Sequence, residues 1–393
     1  MSALTRLKFK YIPQMRKNIT SNWRAISIIA GIALCVNVHA QDIHFSQFYE
    51  APLDLNPALC GAFPGDICGQ LNYRSQWSSV MGNNYGFKTM AATVQYHNLT
   101  KKWDKGYLAP GLNFFNDRSG DGQIGITQFN FTLASGIYLN EKTSIAAGLQ
   151  AGWAQHSIST QNLQWDNQYV NGAYDPSVSP NEPIGNSFSY FDFAAGVLFS
   201  YGTGQTNMTS NDQIKANVGA AIYHVSEPQM SYYAGDDFGG NTSFYTTNGS
   251  NNQNGMATKL YMRYVIHANL QYGVPNSNIG IIPIFVFYQQ GPAQEIDFGS
   301  KFRYILRQES KYTGFAKGSA VDIGAFYRWK DAVIIYAGLE FGSYALGISY
   351  DVNTSDLTSA SNGQGGFEIS LRFINPNPFM GGTESGTTTK SMF

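Results

Sequence analysis

Charge is what this chain lacks most. Asp, Glu, Lys and Arg make up 13% of its 393 residues, about half the share of an ordinary globular domain. That scarcity argues against a cytosolic enzyme. The two signs balance, with 25 basic against 26 acidic residues, so no basic field draws nucleic acid. Long apolar runs are scarce too. Ala25–Val38 is the one sustained stretch, whereas a polytopic helical membrane protein needs repeated runs of about 20 residues. Only three cysteines occur. The His residues after position 40 (44, 97, 156, 224 and 267) are scattered, and no Cys/His set has zinc-ligand spacing. Neither a phosphate loop nor a nucleophile elbow is present. No metal and no cofactor is therefore expected. Asn116–Gln123 looks superficially like a calcium loop, but it lacks the required spacing and the closing glutamate. Ser46 beside His44 has no catalytic context.

What the chain does have is aromatic residues (15%, with 25 Tyr and 26 Phe) and 41 Gly. Rich in aromatics and glycine, poor in charge and mildly hydrophilic, it fits the transmembrane β-barrel, in which only alternate residues face lipid. The N-terminus agrees with an exported protein. A basic leader (Arg6, Lys8, Lys10, Arg16, Lys17, Arg24) precedes the apolar run, and Val38-His39-Ala40 offers a cleavage site before Gln41. Leu34 is too bulky for Cys35 to begin a lipoprotein.

Beyond Gln41 the pattern has period two. In 260–272, Leu260, Met262, Tyr264, Ile266, Ala268, Leu270 and Tyr272 form one face; Tyr261, Arg263, His267, Asn269 and Gln271, with Val265 the exception, form the other. A dozen residues tilted by about 40° cross a bilayer core. In 295–307, Ile296, Phe298, Phe302, Tyr304 and Leu306 face out, and Glu295, Asp297, Lys301, Arg303 and Arg307 face the lumen. Both signs on one face predict ion pairs inside, with Lys301 and Arg303 as the cations nearest Glu295 and Asp297. The expected fold is all-β: a transmembrane antiparallel β-barrel of the bacterial outer membrane with about 14 strands. Its segments are 67–77, 85–98, 107–116, 123–139, 143–157, 188–201, 213–225, 258–272, 279–290, 294–307, 319–329, 332–342, 344–352 and 366–374. The domain plan is a cleaved signal peptide (1–40), an N-terminal extension (41–66), the barrel (67–374) and a flexible tail (375–393). Short connections at 140–142, 291–293 and 330–331 are expected on the periplasmic side. Long polar ones at 159–187, 226–257 and 353–365 are expected outside. Cys60 and Cys68 are left in an oxidising compartment, where they are either bridged or free.

The extension carries three boxes. Gln41-Asp42-Ile43-His44-Phe45-Ser46-Gln47-Phe48-Tyr49 comes first, then Asn56-Pro57-Ala58-Leu59-Cys60-Gly61, then Asn72-Tyr73-Arg74-Ser75-Gln76-Trp77. Together these resemble the PorP/SprF family of Bacteroidetes outer-membrane proteins, which serve type IX secretion and gliding motility. Weaker resemblances follow at Asn116–Gly120 as a turn between early strands, at Tyr190–Phe193 with Gly196, and at Phe367–Phe373 as the final strand. The family boxes supply two readings of Phe45, Ser46, Gln47, Asn56, Pro57, Ala58, Gly61, Tyr73, Arg74 and Trp77. They either pack the extension into the barrel mouth or form a periplasmic docking surface. Asn56-Pro57 suits a turn, Arg74 is expected in the lumen, and Trp77 in an interfacial aromatic belt.

The resemblance implies a non-enzymatic secretion component exported through the general secretory pathway. Its expected partners are outer-membrane lipids, periplasmic type IX ring or lipoprotein components, and a secreted surface protein or adhesin. A general porin is the alternative, set against bulky interior candidates Phe326, Val265 and Ile305. A barrel-embedded lipase or protease is the lesser one, and no convergent rim site supports it.

Overall fold

A computed structural model describes residues 42, 44–81, 85–97, 105–160, 163–179, 187–203, 213–232, 258–307, 318–356 and 358–375. The chain divides into two units, Met1–Gln41 and Asp42–Phe393. The first unit, the expected signal peptide and nearly all of the expected tail lie outside the described residues, as do parts of the longest connections.

Fourteen strands close into one antiparallel barrel. They are β1 Ile67–Gln76, β2 Phe87–Tyr96, β3 Gly106–Ser119, β4 Ile124–Asn140, β5 Thr143–Ser157, β6 Ser187–Gly202 and β7 Ile214–Tyr223. The second half is β8 Arg263–Gly273, β9 Ile279–Gln290, β10 Ala293–Arg307, β11 Ser319–Arg328, β12 Ala332–Phe341, β13 Tyr344–Asn353 and β14 Gln364–Asn375. Each strand pairs with its chain neighbours. The seam is β1 on β14, with Ile67 opposite Asn375 and Gln76 opposite Gly366. Closure leaves no strand edge, so every strand can satisfy its backbone polar groups inside a bilayer. Among the described residues no helix is long and apolar enough to cross a membrane.

Alternation sets the two faces. Leu112, Leu149, Phe191, Val197, Phe302 and Ile323 point out and are exposed large apolar residues, a surface that water would penalise and lipid accepts. Gln70, Asn72, Arg74, Gln150, Asp192, Asp297, Arg328 and Glu368 point in and are buried.

The structure departs from the sequence expectations in three places. Asn116–Ser119 continue β3 instead of turning; Asn116 pairs with Thr127 and Ser119 with Ile124, which moves the turn to 120–123. Thr258–Lys259 form a small ladder with Gln229–Met230, so β8 starts at Arg263. The short connections do not share one rim. Antiparallel order puts 141–142 at the rim where β1 begins and β14 ends. It puts 291–292 and 329–331 at the opposite rim, with the long 158–186 and 224–262. These are called the terminal rim and the loop rim. Cys60 and Cys68, left open between bridged and free, are both buried and free.

Candidate functional site

The lumen is occupied by the chain's own extension. Asp42 lies at the loop rim, where its N–H donates to Gln290 Oε1 at 2.8 Å. Gln290 is the last residue of β9. Asp66 lies at the terminal rim. Its N–H donates to Asn375 O at 3.2 Å, and its carbonyl accepts from His97 N at 2.8 Å. Between them come three short helical turns, Phe48–Glu50, Pro52–Leu55 and Pro57–Leu59. Asp42 and residues 44–66 therefore thread the barrel from rim to rim.

The upper part of this plug is held by charge. Asp42 Oδ2 sits 2.5 Å from His224 Nε2 and 3.2 Å from Arg263 Nη1, and Asp192 Oδ2 lies 2.8 Å from His224 Nδ1. An imidazolium that donates from both nitrogens fits this arrangement. Burial pulls the His224 pKa down. The Asp42 carboxylate and the hydrogen bonds to Asp192 and Asp42 outweigh that and hold it up at about 9. His44 Nδ1 lies 3.1 Å from Glu295, and Arg74 Nη1 donates to the His44 carbonyl.

The next two residues are clasped by the closing strands. The N–H groups of Ser46 and Gln47 donate to the two oxygens of Glu368 at 2.7 and 3.0 Å. Ser46 Oγ donates to Asp351 at 2.7 Å, and Arg328 Nη2 donates to Ser46 Oγ at 3.0 Å. Gln47 Oε1 accepts from Ser370 Oγ at 2.6 Å, and its amide nitrogen donates to Ser349 Oγ at 3.1 Å. Thus the first box is bound by Arg74 of the third box and by Glu368 and Ser370 of the final strand. Three motifs far apart in sequence are one contact.

Arg328 is the hub. It approaches Glu295 at 3.6 Å, Asp297 at 3.5 Å, Asp351 at 3.2 Å and Asp331 at 3.3 Å. The cation facing Glu295 and Asp297 is therefore Arg328, brought opposite Asp297 by the β10–β11 register, and not Lys301 or Arg303. Lys301 Nζ instead lies 3.9 Å from the centre of the Tyr49 ring and 5.4 Å from that of Tyr336, a cation–π geometry. Arg303 pairs with Glu340 and approaches Asp322 at 3.9 Å. Arg307 is exposed at the strand end, past a register shift. Glu50 joins Arg372 at 3.0 Å.

The lower part is held by shape. Asn56 caps the Pro57–Leu59 turn, its Oδ1 accepting from Ala58 N at 2.8 Å. Pro57 suits the first position of the turn because it has no N–H to satisfy there. Asn56 Nδ2 reaches Val197 O and His267 Nε2, each at 3.0 Å. Glycines at inward positions of β5, β6 and β7 make room. A Cβ on Gly148 would stand 2.4 Å from Pro57 C and O, one on Gly196 2.0 Å from Asn56 Oδ1, and one on Gly219 2.6 Å from Asn56 Nδ2. Gly61 closes the box with φ +77° and room for no side chain, since a Cβ would stand 2.3 Å from Ala109 Cβ. Leu53, Ala58 and Cys60 pack with Tyr107, Ala109 and Leu198. Phe48 packs with Val265, Ile284 and Phe326, and Phe45 with Ala91 and Phe115.

Phe45, Ser46, Gln47, Asn56, Pro57, Ala58 and Gly61 are buried against the barrel wall. Arg74 faces the lumen as expected. Tyr73 lies on the outward parity, and Trp77, the residue after β1, stands edge-on to Phe87 at 5.1 Å. His267 is a buried lining residue. Among the described residues no cluster of His, Cys, Asp or Glu could hold a metal ion. Sequence reasoning missed the glycine cradle and the roles of Glu50, His224 and Asp351. The inward parity of Gly148, Gly196 and Gly219 was the available signal.

The profile of a family described as type IX secretion system membrane protein PorP/SprF matches residues 37–373. The chain belongs to this family. A membrane protein of type IX secretion built as a closed barrel is an outer-membrane protein. No curated protein matches the chain. Among solved structures it is similar to the CymD monoaromatic hydrocarbon channel (11% identity, 83% of this chain and 92% of that one, TM-score 0.41). The toluene transporter TodX of Pseudomonas putida is also similar (7% identity, 85% and 95%, TM-score 0.42), as is the KdgM porin (8% identity, 77% and 98%, TM-score 0.30).

Proposed function

We propose that this PorP/SprF-family barrel is a non-enzymatic platform of the type IX secretion system. It docks periplasmic secretion components at one rim and supports export and surface attachment of a particular secreted protein, such as an adhesin, at the other. The observation that carries this reading is the threaded extension. With residues 44–63 largely buried in the lumen, the parts of the protein free to meet partners are its rims and its lipid-facing wall. The family supports a role in secretion, and the long polar connections at the loop rim are suited to recognising a client. A porin reading needs an open lumen, and the plug opposes it.

Deleting the gene and profiling the growth medium tests the proposal. Loss of one or a few type IX clients from the medium and cell surface is expected, with other clients unaffected. Unchanged secretion and surface display of every client would overturn it.

A further inference from the structure

We propose that the extension is threaded outward, so that the chain at Asp42 opens on the cell surface and not in the periplasm. Two independent features place it there. The first is the path of the chain. Asp42 contacts His224, which follows the last residue of β7, Arg263, the first residue of β8, and Gln290, the last residue of β9. All three mark the loop rim. Asp66, by contrast, meets Asn375 and His97 at the terminal rim, and β1 then starts back toward the loop rim. The second is the polarity of the barrel. The two longest connections, 158–186 and 224–262, share the loop rim with Asp42, and outer-membrane barrels place their long loops outside.

The packing makes this a fixed path. Ser46 and Gln47 are clasped by Glu368 of β14, while Arg74 of β1 donates to the His44 carbonyl and Asp351. These contacts lie on both sides of the β1–β14 seam. The extension is therefore seated before or as the seam closes, not pushed in afterwards. The loop rim then presents the chain at Asp42 together with the long connections.

The test uses full-length protein in intact cells. One strain carries a short epitope between Gln41 and Asp42, a second carries it within 158–186, and a third carries it after Phe393. Gel migration of unheated samples verifies a folded barrel in each. Antibody binding to intact cells is expected for the first two and, only after outer-membrane permeabilisation, for the third. An epitope before Asp42 that is reached only after permeabilisation overturns the proposal, whether the loop epitope is exposed (the extension is not threaded outward) or hidden (the barrel is inverted).

Discussion

The plug is held in two unlike ways. Near the loop rim, residues 42–47 are bound by charge: His224, Arg263, Arg74, Arg328 and Glu368 each contact that stretch. Mid-lumen, residues 56–61 are bound by shape, against Gly148, Gly196 and Gly219 and through one asparagine amide. The difference follows from what each region must do. A charge cluster fixes direction and register, because a displaced partner leaves another charge buried and unpaired. A glycine cradle fixes depth, because backbone meets backbone with no side chain able to give way. The clamp should therefore fail through electrostatics and the cradle through added volume.

The largest effect should come from the hub of the clamp. Arg328→Ala leaves Glu295, Asp297 and Asp351 facing one another without their common cation. Removing one partner of a buried pair costs about 3–5 kcal/mol. Urea unfolding in detergent, followed by the gel shift of the folded barrel, should show a large fall in midpoint. A shift no greater than that of Arg307→Ala at the exposed strand end would break the distinction between clamp and rim.

The cradle should respond to a single methyl. Gly148→Ala pushes a Cβ against the Pro57 carbonyl, and overpacking of this kind costs about 1–3 kcal/mol. The strain falls on the plug, so a second readout is available. Wild-type protein in planar bilayers should show no large stable conductance, and Gly148→Val should show openings. Asn56→Ala is expected to cost somewhat less. It removes the acceptor of the Ala58 N–H, at roughly 1–2 kcal/mol for an unsatisfied buried group. If it opens the lumen as readily as Gly148→Val, the hydrogen bonds and not the shape seat the turn.

The barrel itself was largely legible. Period-two alternation places Thr143–Ser157 and Ile279–Gln290 at their observed ends, because lipid on one side and a polar lumen on the other leave the pattern little freedom. It also puts Glu295 and Asp297 in the lumen. Which cation they meet was not legible, since that depends on the β10–β11 register, and register is a property of two strands at once. The turn at 116–120 was misplaced for a similar reason. Asn, Asp, Ser and Gly favour turns, but Asn116 donates to Thr127 Oγ1 at 2.8 Å and stays in the ladder. The boxes at 42–49 and 56–61 were visible as motifs. Their partners lie elsewhere: Glu368 is separated from the first box by most of the chain, and the three cradle glycines sit on three different strands.

The smallest effect should lie at the start of the plug, where the clamp meets water. Asp42 is a quarter exposed, so solvent screens its pairs and Asp42→Asn should cost about 1 kcal/mol or less. Its signature is in pH. The folded pKa of His224, about 9, lies above the ordinary histidine value of 6.5. The native state thus binds the extra proton more tightly, and this contribution is fully present below about 6.5 and is lost as pH rises through about 9. The Asp42 carboxyl is shifted the other way: although burial raises it, His224 and Arg263 more than reverse that. Its share is present above the ordinary carboxylate range and is lost only in acid. Between pH 6 and 10 the wild-type unfolding midpoint should decline through the His224 step, and Asp42→Asn should flatten that decline. Gly148→Ala, which adds volume without charge, should lower the midpoint at every pH and leave the slope intact. Parallel pH profiles for wild type and Asp42→Asn would mean that Asp42 does not hold the extra proton on His224.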